Sequence, residues 1–424
     1  MHVVVLADEV PAVQDAAGYV FPCFIDRLSG AGHTVSCCFL LEPSSPEDAR
    51  VRTGRIEALM ARGVHVVPLV MEASTQRRTW RVRMRQLLRP TIAGLYPWAA
   101  WAPQVERVLS GLNPDVIFLF ETYQGLVATH GLAIAPHVAL LGDPAHLPAH
   151  YRKTTGLVRE SPSLKSWYRS ILERHRVRAM QGLLADLDGG GAVAAHHAEW
   201  FRRNGFSGCR YLRNPVPDLA GPDWRARRAA YPPQPKPKII LVGQLRGTAT
   251  LSGIYLFAEE ILPILEARLG PEKFEAHIIG RFPPPPDLAK KLSRPSVRLR
   301  GFVEDLDPEW LTADLFLVPT PIELGVRTRV IFGWMFGCCV VAHQVNVPGL
   351  PEMRHDENAL IARDGRGLAE AIIRALRDPS LRAALGERGR ATYERWFTPE
   401  VAGRRLVEEL ARLNGRNGRC KSSS

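Results

Sequence analysis

The feature that most constrains the fold is an alternation, repeated twice along the chain, of short apolar runs with helix-length segments. The first series of apolar runs covers 2–7, 35–41, 65–70, 116–121, 138–141 and 209–213. The second series covers 239–243, 274–280, 297–301, 315–319, 339–343 and 359–362. Near-continuous apolar strands that alternate with helices indicate parallel sheets covered on both faces. The sequence therefore predicts an α/β fold with two doubly wound, Rossmann-like halves.

A proline-rich stretch, YPPQPKPK at 231–238, separates the two series. Proline-rich segments are stiff linkers, so we expect one domain at 1–230 and a second at 231–395. Thr398 and Pro399 are a helix start signal, which predicts a last helix within 396–424 and a flexible tail after Gly415. Ligands of doubly wound sheets bind at the carboxyl ends of the strands, so a ligand is expected in a cleft between the halves.

Composition narrows the class of protein. The net charge of +12 suits anionic partners such as nucleotide diphosphates or lipid headgroups, and no zinc-finger or RNA-recognition pattern indicates nucleic acid. The seven cysteines have no metal-binding spacing, so we expect reduced thiols in a cytoplasmic protein and no metal site. No apolar run reaches the length of a bilayer span, and the start MHVVVLADEV does not read as a signal peptide.

The clearest chemical signal lies at 325–362, which reads as a helix, a glycine turn, a buried strand, a Pro-Gly loop and a second strand. Arg327 and Arg329 stand two positions apart where the helix begins. A helix N-terminus offers unpaired N–H groups and a partial positive charge, so with two guanidiniums it can hold a diphosphate. Gly325 and Gly243 would let the backbone approach such a ligand. The alternative is an exposed basic helix face.

Several motifs, in order along the chain, resemble the GT-B glycosyltransferases, in particular the retaining "group 1" (GT4-like) family. They are GAGHTV at 31–36, NPVPD at 214–218, VGQL at 242–245, GFVEDL at 301–306, PGLPE at 348–352 with Asn358, and YERWFTPEVAGRRLVEEL at 393–410. The resemblance covers most of the chain and is strongest from 239 to 412. It implies an N-terminal acceptor-side domain and a C-terminal nucleotide-sugar domain that face a cleft. It also implies a closing helix that returns to the N-terminal domain.

The resemblance assigns residues to the donor site. Gly243, Gln244 and Arg246 match the phosphate-side loop, and Arg246 is the expected phosphate ligand unless it is a solvated loop arginine. Three further positions are Gly280 at the end of FEAHIIG, Val303 in the loop that passes the nucleotide base, and Glu352 of PGLPE. A cap of the following helix is the alternative role for Glu352.

The sequence departs from the family at two glutamates that its members usually carry at a fixed spacing. The second matches Phe332, which cannot hydrogen-bond ribose hydroxyls but can pack against a sugar or base face. The first matches Leu324. A one-residue shift of the loop would bring the carboxylate of Glu323 to the donor sugar, and a surface charge is the alternative.

The acceptor side has weaker signals. The family often places a His-Asp pair after the fifth strand, where this chain reads LLGDPAHL at 140–147. Asp143 matches the acid, although it could equally be a turn residue, and His146 would substitute for the missing histidine. Glu121 ends the strand VIFLFE and is a further acceptor-side candidate. The pair His196 and His197 is interpreted as structural.

Residues 77–104 combine arginine with aromatic side chains. Six arginines lie within 77–89, and Trp80, Tyr96, Trp98 and Trp101 accompany them. Such a composition is typical of an interfacial membrane segment, which would contact anionic lipid peripherally and suit a lipid-linked acceptor. The alternative is a solvated basic helix followed by an aromatic loop packed in the core.

With the resemblance, these features imply a metal-independent, retaining transferase without a cofactor. It would move a sugar from a nucleotide diphosphate sugar to a glycan or lipid-linked acceptor, for cell-surface polysaccharide or glycoconjugate synthesis at the cytoplasmic face of the membrane. Two alternatives stay open. One is a non-catalytic GT-B protein that binds a sugar nucleotide or glycan, which Phe332 favours. The other is a sugar-nucleotide epimerase, which needs paired carboxylates and histidines that the sequence does not cluster.

Overall fold

The structure is a computed structural model, and it describes residues 1–11, 16–43, 45–71, 84, 87–155 and 164–421. The side chains of 16–17, 46–47, 164–166 and 414–421 are outside this description. The chain divides into two compact units. The first comprises Met1–Leu147, Arg159–Pro215 and Ala402–Ser424, and the second comprises Pro148–Val158 and Val216–Val401.

Each unit contains one parallel sheet. The strands of the first unit are β1 (His2–Ala7), β2 (Thr34–Leu41), β3 (His65–Val70), β4 (Val116–Phe120), β5 (His137–Leu141), β6 (Gly189–Ala192) and β7 (Arg210–Tyr211). Those of the second are β8 (Lys238–Val242), β9 (Glu275–Ile279), β10 (Val297–Gly301), β11 (Leu315–Val318), β12 (Cys339–His343) and β13 (Leu360–Ala362). The orders are β3-β2-β1-β4-β5-β6-β7 and β10-β9-β8-β11-β12-β13. The two predicted series of strands and the doubly wound α/β class are confirmed.

Helices connect these strands. In the first half of the chain they are α1 (Ala16–Gly30), α2 (Pro46–Ala61), α3 (Ile92–Leu95), α4 (Ala102–Leu112), α5 (Tyr123–Ala128), α6 (Leu147–Thr154), α7 (Leu164–Ala185) and α8 (Ala195–Arg203). In the second half they are α9 (Trp224–Ala229), α10 (Thr248–Leu256), α11 (Leu262–Leu269), α12 (Pro286–Lys291), α13 (Asp307–Leu311), α14 (Thr328–Met335), α15 (Gly365–Arg377), α16 (Pro379–Trp396) and α17 (Pro399–Lys421). A π-helical turn at Phe257–Ile261 joins α10 to α11.

The strand order reverses between β1 and β4 in the first sheet and between β8 and β11 in the second. At such a reversal the connecting loops diverge and leave a crevice at the carboxyl ends of the strands. The first reversal brings Asp8 and Glu121 to one edge of their sheet. The second brings Gly243 next to the loop 319–325, so the topology defines one candidate ligand position in each unit.

The chain enters the second unit before the proline-rich stretch. The backbone N–H of Val216 donates to the carbonyl oxygen of Phe397 (2.8 Å), and Trp224 is buried in the second unit's core. Residues 216–230 therefore pack with the second unit, although the sequence assigned them to the first. Apolar packing of the segment, rather than its proline content, determines where the unit begins.

The last helix, α17, begins at Pro399 as the start signal predicts, and from Ala402 it belongs to the first unit. Glu409 on this helix pairs with Arg210 of β7 (2.5 Å), and Leu413 lies against Gly189 of β6. The helix continues to Lys421, past Gly415, where a flexible tail was predicted. A glycine costs a helix only about 1 kcal/mol, and no proline follows to end it.

One helical stretch, Thr248–Leu269, has the length and apolar composition that would allow it to cross a membrane. It contributes Phe257, Ile261 and Leu265 to the core of the second unit, and 56% of its most apolar window is buried. Its apolar character is accounted for by this packing.

Candidate functional site

The carboxyl end of β8 forms a tight cradle around a guanidinium. Gly243 follows this strand with φ +157°, and a Cβ atom there would lie 2.5 Å from Arg329 Nη1 and 2.8 Å from Thr250 Oγ1. Arg329 donates from Nη1 to the carbonyl oxygen of Val242 (2.7 Å) and from Nη2 to Thr250 Oγ1 (2.8 Å). Glycine at position 243 is therefore what leaves room for the Arg329 side chain.

Arg329 is a cation whose partners here are neutral oxygens. Burial lowers the pKa of its guanidinium from 12.5 to about 10, so it stays charged at neutral pH. Within the described ranges no Asp or Glu side chain forms an ion pair with it. Arg329 is the second residue of α14, and the N-cap residue of this helix, Arg327, has no acceptor atom in its side chain that could cap the backbone N–H groups. A half-buried cation beside a helix N-terminus attracts an anion, which makes this the best candidate phosphate position in the second unit.

Arg327 has structural contacts of its own. It immediately precedes α14 and is only 8% exposed. Its Nε donates to Asn346 Oδ1 (3.1 Å), and its Nη2 lies 3.5 Å from the carbonyl oxygen of Ile322. Asn346 in turn donates to the carbonyl oxygen of Thr320 (3.2 Å). Arg327 thus fixes the loop after β11 to the loop after β12, while Gly325 turns the chain with φ +69°.

Two further glycines continue the cradle across the neighbouring strands. A Cβ atom at Gly280 would lie 2.1 Å from the carbonyl oxygen of Gly243. The N–H of Gly243 donates to the carbonyl oxygen of Ile279, and the N–H of Gly280 donates to the carbonyl oxygen of Gly301, both at 2.9 Å. The carboxyl ends of β8, β9 and β10 therefore meet with backbone in direct contact, which side chains at Gly243 and Gly280 would prevent.

Arginine and aromatic side chains lie beside the glycine cradle. Arg246 is exposed, and its guanidinium carbon is 4.1 Å from the centroid of the Phe282 ring. Arg281 lies 5.4 Å from the centroid of Phe302, next to half-buried Val303. Sequence reasoning missed both phenylalanines; Phe282 comes two residues after Gly280 and Phe302 directly after Gly301, which is the available signal. Exposed rings of this kind can stack on a nucleobase.

The remaining donor-side candidates differ in exposure. Gln244 is exposed at the start of the loop, and its carbonyl oxygen accepts from the N–H of Gly247 (3.0 Å). Glu323 is half-buried in the loop after β11, and Phe332 is half-buried against the apolar cluster of α14. A cavity of about 690 Å³ opens next to this region and is lined in part by Ser252, Tyr255 and Pro321.

Glu352 is buried, and its loop is closed by Asn358. The Asn358 Nδ2 donates to the carbonyl oxygen of Glu352 (2.8 Å) and to Thr392 Oγ1 (2.9 Å), while its Oδ1 accepts from the N–H of Arg354 (2.8 Å). The asparagine of the PGLPE signature therefore holds the loop that presents Glu352. No helix directly follows Glu352, so the alternative role as a helix cap is excluded.

The first unit presents acids at its own strand reversal. Asp8 follows β1 and accepts a hydrogen bond from Thr122 Oγ1. Burial raises the pKa of Asp8 from 3.8 to about 7, which the Thr122 hydrogen bond opposes in part. Glu121 follows β4 with φ +48°, an uncommon conformation for a residue with a side chain, and its N–H donates to Leu140 (2.7 Å). Two carboxyl groups with raised pKa thus flank the reversal.

Asp143 joins this group from β5. Burial and the Asp143 carboxylate together raise the pKa of Glu121 from 4.5 to about 7, although the Glu121 side chain also reaches solvent, which offsets part of the effect. Asp143 Oδ1 lies 3.4 Å from Nδ1 of His197, whose side chain is 2% exposed. The backbone carbonyl oxygen of Asp143 accepts a hydrogen bond from the Tyr123 hydroxyl (2.7 Å). From the sequence we interpreted His197 as structural. In the structure, the pairing of β5 with β6 places His197 beside Asp143. His146 instead packs its ring against Trp200 at 5.3 Å.

The basic, aromatic segment is described only in part. Residues 77–83 and 85–86, with most of the arginines and Trp80, lie outside the described residues. Tyr96 and Trp101 are each 6% exposed and belong to the core of the first unit, and Trp98 stacks on Tyr96 at 6.0 Å. The prediction that these aromatics form an exposed face is therefore wrong, and the alternative of a core-packed loop is correct for them.

Comparison with known proteins agrees with this fold. Residues 236–378 match the family model described as "Glycosyl transferases group 1". Solved structures with similar folds include α,α-trehalose 6-phosphate synthase from Burkholderia multivorans (13% identity, 100% of this chain and 99% of that chain, TM-score 0.67). A second similar structure is sucrose-phosphate synthase from Thermosynechococcus elongatus (16% identity, 96% of this chain and 97% of that chain, TM-score 0.65). A third is Anabaena HepE in complex with UDP (14% identity, 96% of this chain and 99% of that chain, TM-score 0.63). No curated protein sequence matches the chain.

Each of these neighbours is under 25% identical, so the likeness concerns the fold. The two parallel sheets, their helices and the near-complete coverage identify the GT-B architecture. The chain therefore has the GT-B fold, and its residues 236–378 are similar to the glycosyl transferases group 1 family.

Proposed function

We propose that this protein is a glycosyltransferase that takes its sugar from a nucleotide diphosphate sugar. The observation that carries the proposal is Arg329, a half-buried guanidinium held by neutral oxygens beneath Gly243 at the strand reversal of the second unit. The group 1 match covers this same region. A structural neighbour, Anabaena HepE, was solved with UDP and with UDP-glucose, which supports a nucleotide sugar as the donor.

The geometry supports stabilisation of a leaving diphosphate. Arg329 is charged at neutral pH, and the N-terminus of α14 adds partial positive charge beside it. Fixed charges aimed at a developing anion cost no reorganisation during the reaction. A metal ion is then unnecessary for charge neutralisation, and we propose a metal-independent transfer with retention at the anomeric carbon. Glu323, in the loop beside α14, is the proposed contact to the donor sugar.

The acceptor is proposed to bind at the strand reversal of the first unit. Glu121 and Asp143 provide hydrogen-bond acceptors for sugar hydroxyls there, and the raised pKa of Glu121 allows it to exchange a proton near neutral pH. A glycan or lipid-linked acceptor, in cell-surface polysaccharide or glycoconjugate synthesis at the cytoplasmic face of the membrane, fits this chemistry.

The test is calorimetric binding of UDP, GDP, ADP and dTDP to the wild type and to an Arg329→Met variant. Charge-assisted hydrogen bonds contribute about 1.5–3 kcal/mol, so the preferred nucleotide should bind about tenfold to a hundredfold more weakly. Arg354→Met is the matched control, because Arg354 lies in the same unit, is exposed and pairs with Glu357. Unchanged nucleotide affinity in a folded Arg329→Met variant would contradict the site.

An epimerase is the second candidate, because the structure brings Glu121, Asp143 and His197 together, a group of acids and a histidine that the sequence did not reveal. The two candidates differ in their need for an acceptor. A transferase leaves most of the donor intact until an acceptor glycan is added, whereas an epimerase interconverts the nucleotide sugar alone. Nucleotide binding with neither reaction would indicate the non-catalytic alternative.

A further inference from the structure

The helix α7 has one face packed on the first unit and one face exposed. Leu172, Met180 and Leu183 are buried, and Tyr168 packs against the same core. On the other side Trp167 is 60% exposed, and the exposed Arg174 and Arg178 follow at helical spacing. Residues seven and eleven positions apart lie on the same side of a helix, so these three side chains share one face.

The segment that precedes α3 lies alongside this helix. His175 Nε2 is 3.2 Å from the carbonyl oxygen of Leu87, and Arg176 Nε donates to the carbonyl oxygen of Leu95 (3.3 Å). Tyr96 also donates to the carbonyl oxygen of Arg176 (2.8 Å). Leu88, which is 78% exposed, and Arg89 therefore lie beside the middle of α7. We call Leu88, Arg89, Trp167, Arg174 and Arg178 the α7 patch.

Charge on the α7 patch is of one sign. Between Trp167 and Arg178 the helix has a single acid, Glu173, and this acid faces Arg176 at 3.5 Å. In the described part of the chain Arg174 and Arg178 form no ion pair. The exposed Trp167 and Leu88 therefore give this cationic surface an apolar component. Tryptophan flanked by arginine is typical of side chains at the boundary between lipid headgroups and acyl chains.

We propose that the α7 patch binds the surface of an anionic lipid bilayer. Helix α7 then lies in the plane of the membrane, with Trp167 and Leu88 at the acyl boundary and the three arginines among the headgroups. The contact is peripheral, because the helix keeps its buried face on the first unit. This surface is independent of the nucleotide site. Tyr96 and Trp101 are buried and cannot make the lipid contact expected of residues 77–104, and the α7 patch is proposed to make that contact instead.

The test is co-sedimentation of the full chain with vesicles of phosphatidylcholine alone and of phosphatidylcholine with phosphatidylglycerol. Wild-type protein should pellet with the anionic vesicles only, and added salt should release it. Each arginine near an anionic surface contributes about fivefold, so Arg174→Gln/Arg178→Gln should bind about thirtyfold more weakly. Trp167→Ser should also weaken binding, and by a similar factor at each salt concentration at which the wild type still binds, because the contribution of Trp167 is apolar.

A matched control changes an exposed arginine and an exposed apolar side chain elsewhere in the first unit. Arg50→Gln/Met60→Ser alters an exposed arginine and an exposed methionine on α2 and should leave vesicle binding unchanged. Equal binding to neutral and anionic vesicles overturns the proposal, and so does an equal loss in the control and the α7 variants. Binding of single-stranded RNA but not of vesicles, with the same loss in Arg174→Gln/Arg178→Gln, would assign the patch to nucleic acid instead.

Discussion

Replacement of Glu309 by glutamine should make the second unit less stable and change how its stability depends on pH. Glu309 on α13 is 6% exposed, hydrogen-bonds to His277 Nδ1 (3.1 Å) and forms ion pairs with Lys238 Nζ (2.6 Å) and Arg300 Nη2 (3.1 Å). These three side chains belong to β8, β9 and β10. One carboxylate thus ties together three neighbouring strands, from Lys238 at the amino end of β8 to Arg300 near the end of β10, and its loss should loosen this part of the sheet.

The magnitude follows from the pKa. Burial alone would raise the pKa of Glu309, but hydrogen bonds from His277 and Lys238, with their charges, lower it from 4.5 to about 2. At about 1.4 kcal/mol per pH unit this difference amounts to about 3 kcal/mol of stability. Because the folded-state pKa is lowered, that stability is fully present above the unfolded pKa near 4.5. It is lost as the pH falls through about 2. The variant also leaves the largely buried Lys238 without its carboxylate, which adds to the cost.

The assay is urea unfolding of the wild type and Glu309→Gln between pH 7 and pH 3, followed through the transition of the second unit. The two proteins should differ by about 3 kcal/mol at pH 7, and the difference should narrow below about pH 4.5. Glu357→Gln is the control, because Glu357 forms an exposed pair with Arg354 whose loss should cost under about 1 kcal/mol. A difference that stays constant over the whole pH range, or that matches the control, would refute the network as described.

Two other outcomes test the strand ends. Gly280→Ala should lower the stability of the second unit by about 1–3 kcal/mol and weaken nucleotide binding, because its Cβ would lie 2.1 Å from the carbonyl oxygen of Gly243. Gly54→Ala, in α2 with no atom within 4 Å of the added carbon, should be neutral or slightly stabilising in the same denaturation assay. Asp8→Asn should flatten the decline of wild-type stability between about pH 4 and pH 7, since burial raises the folded-state pKa of Asp8 to about 7 and the folded protein keeps its proton longer than the unfolded chain. Parallel pH profiles for the wild type and Asp8→Asn would count against the buried acid.

The strands and the glycine positions could be predicted because local patterns determine them. Runs such as 2–7 and 339–343 have no polar residue that water must reach, so they fit only the interior of a covered sheet. Gly243 and Gly325 were recognisable because a glycine at the end of a buried strand indicates a sharp turn or a close approach of the backbone. The same reasoning found the start of α17 from Thr398 and Pro399.

Other features depend on partners that are distant in the sequence. Nothing local indicates that Arg327 turns toward Asn346, because the contact requires the ends of β11 and β12 to be neighbours in the sheet. The same holds for His197 and Asp143, which meet only because β5 pairs with β6. Tyr96 was interpreted as a surface residue from its arginine-rich neighbours. In the structure its hydroxyl reaches the backbone of α7, a position that tertiary contacts determine.

The two strand reversals carry opposite chemistry, and this contrast gives the proposed function its physical basis. In the second unit, burial leaves the Arg329 cation with neutral acceptors, so that position gains from an anion such as a diphosphate. In the first unit, burial raises the pKa of Asp8 and Glu121, so that position favours protonated carboxyls and disfavours a further negative charge. A phosphate group should therefore bind to the second unit and be disfavoured in the first, where negative charge is already unfavourable, whereas neutral hydroxyls can hydrogen-bond to the carboxyl groups in either protonation state. A neutral glycan part of the acceptor fits the first unit better than a phosphorylated one, which confines any lipid phosphate of the acceptor to a position away from Glu121 and Asp143.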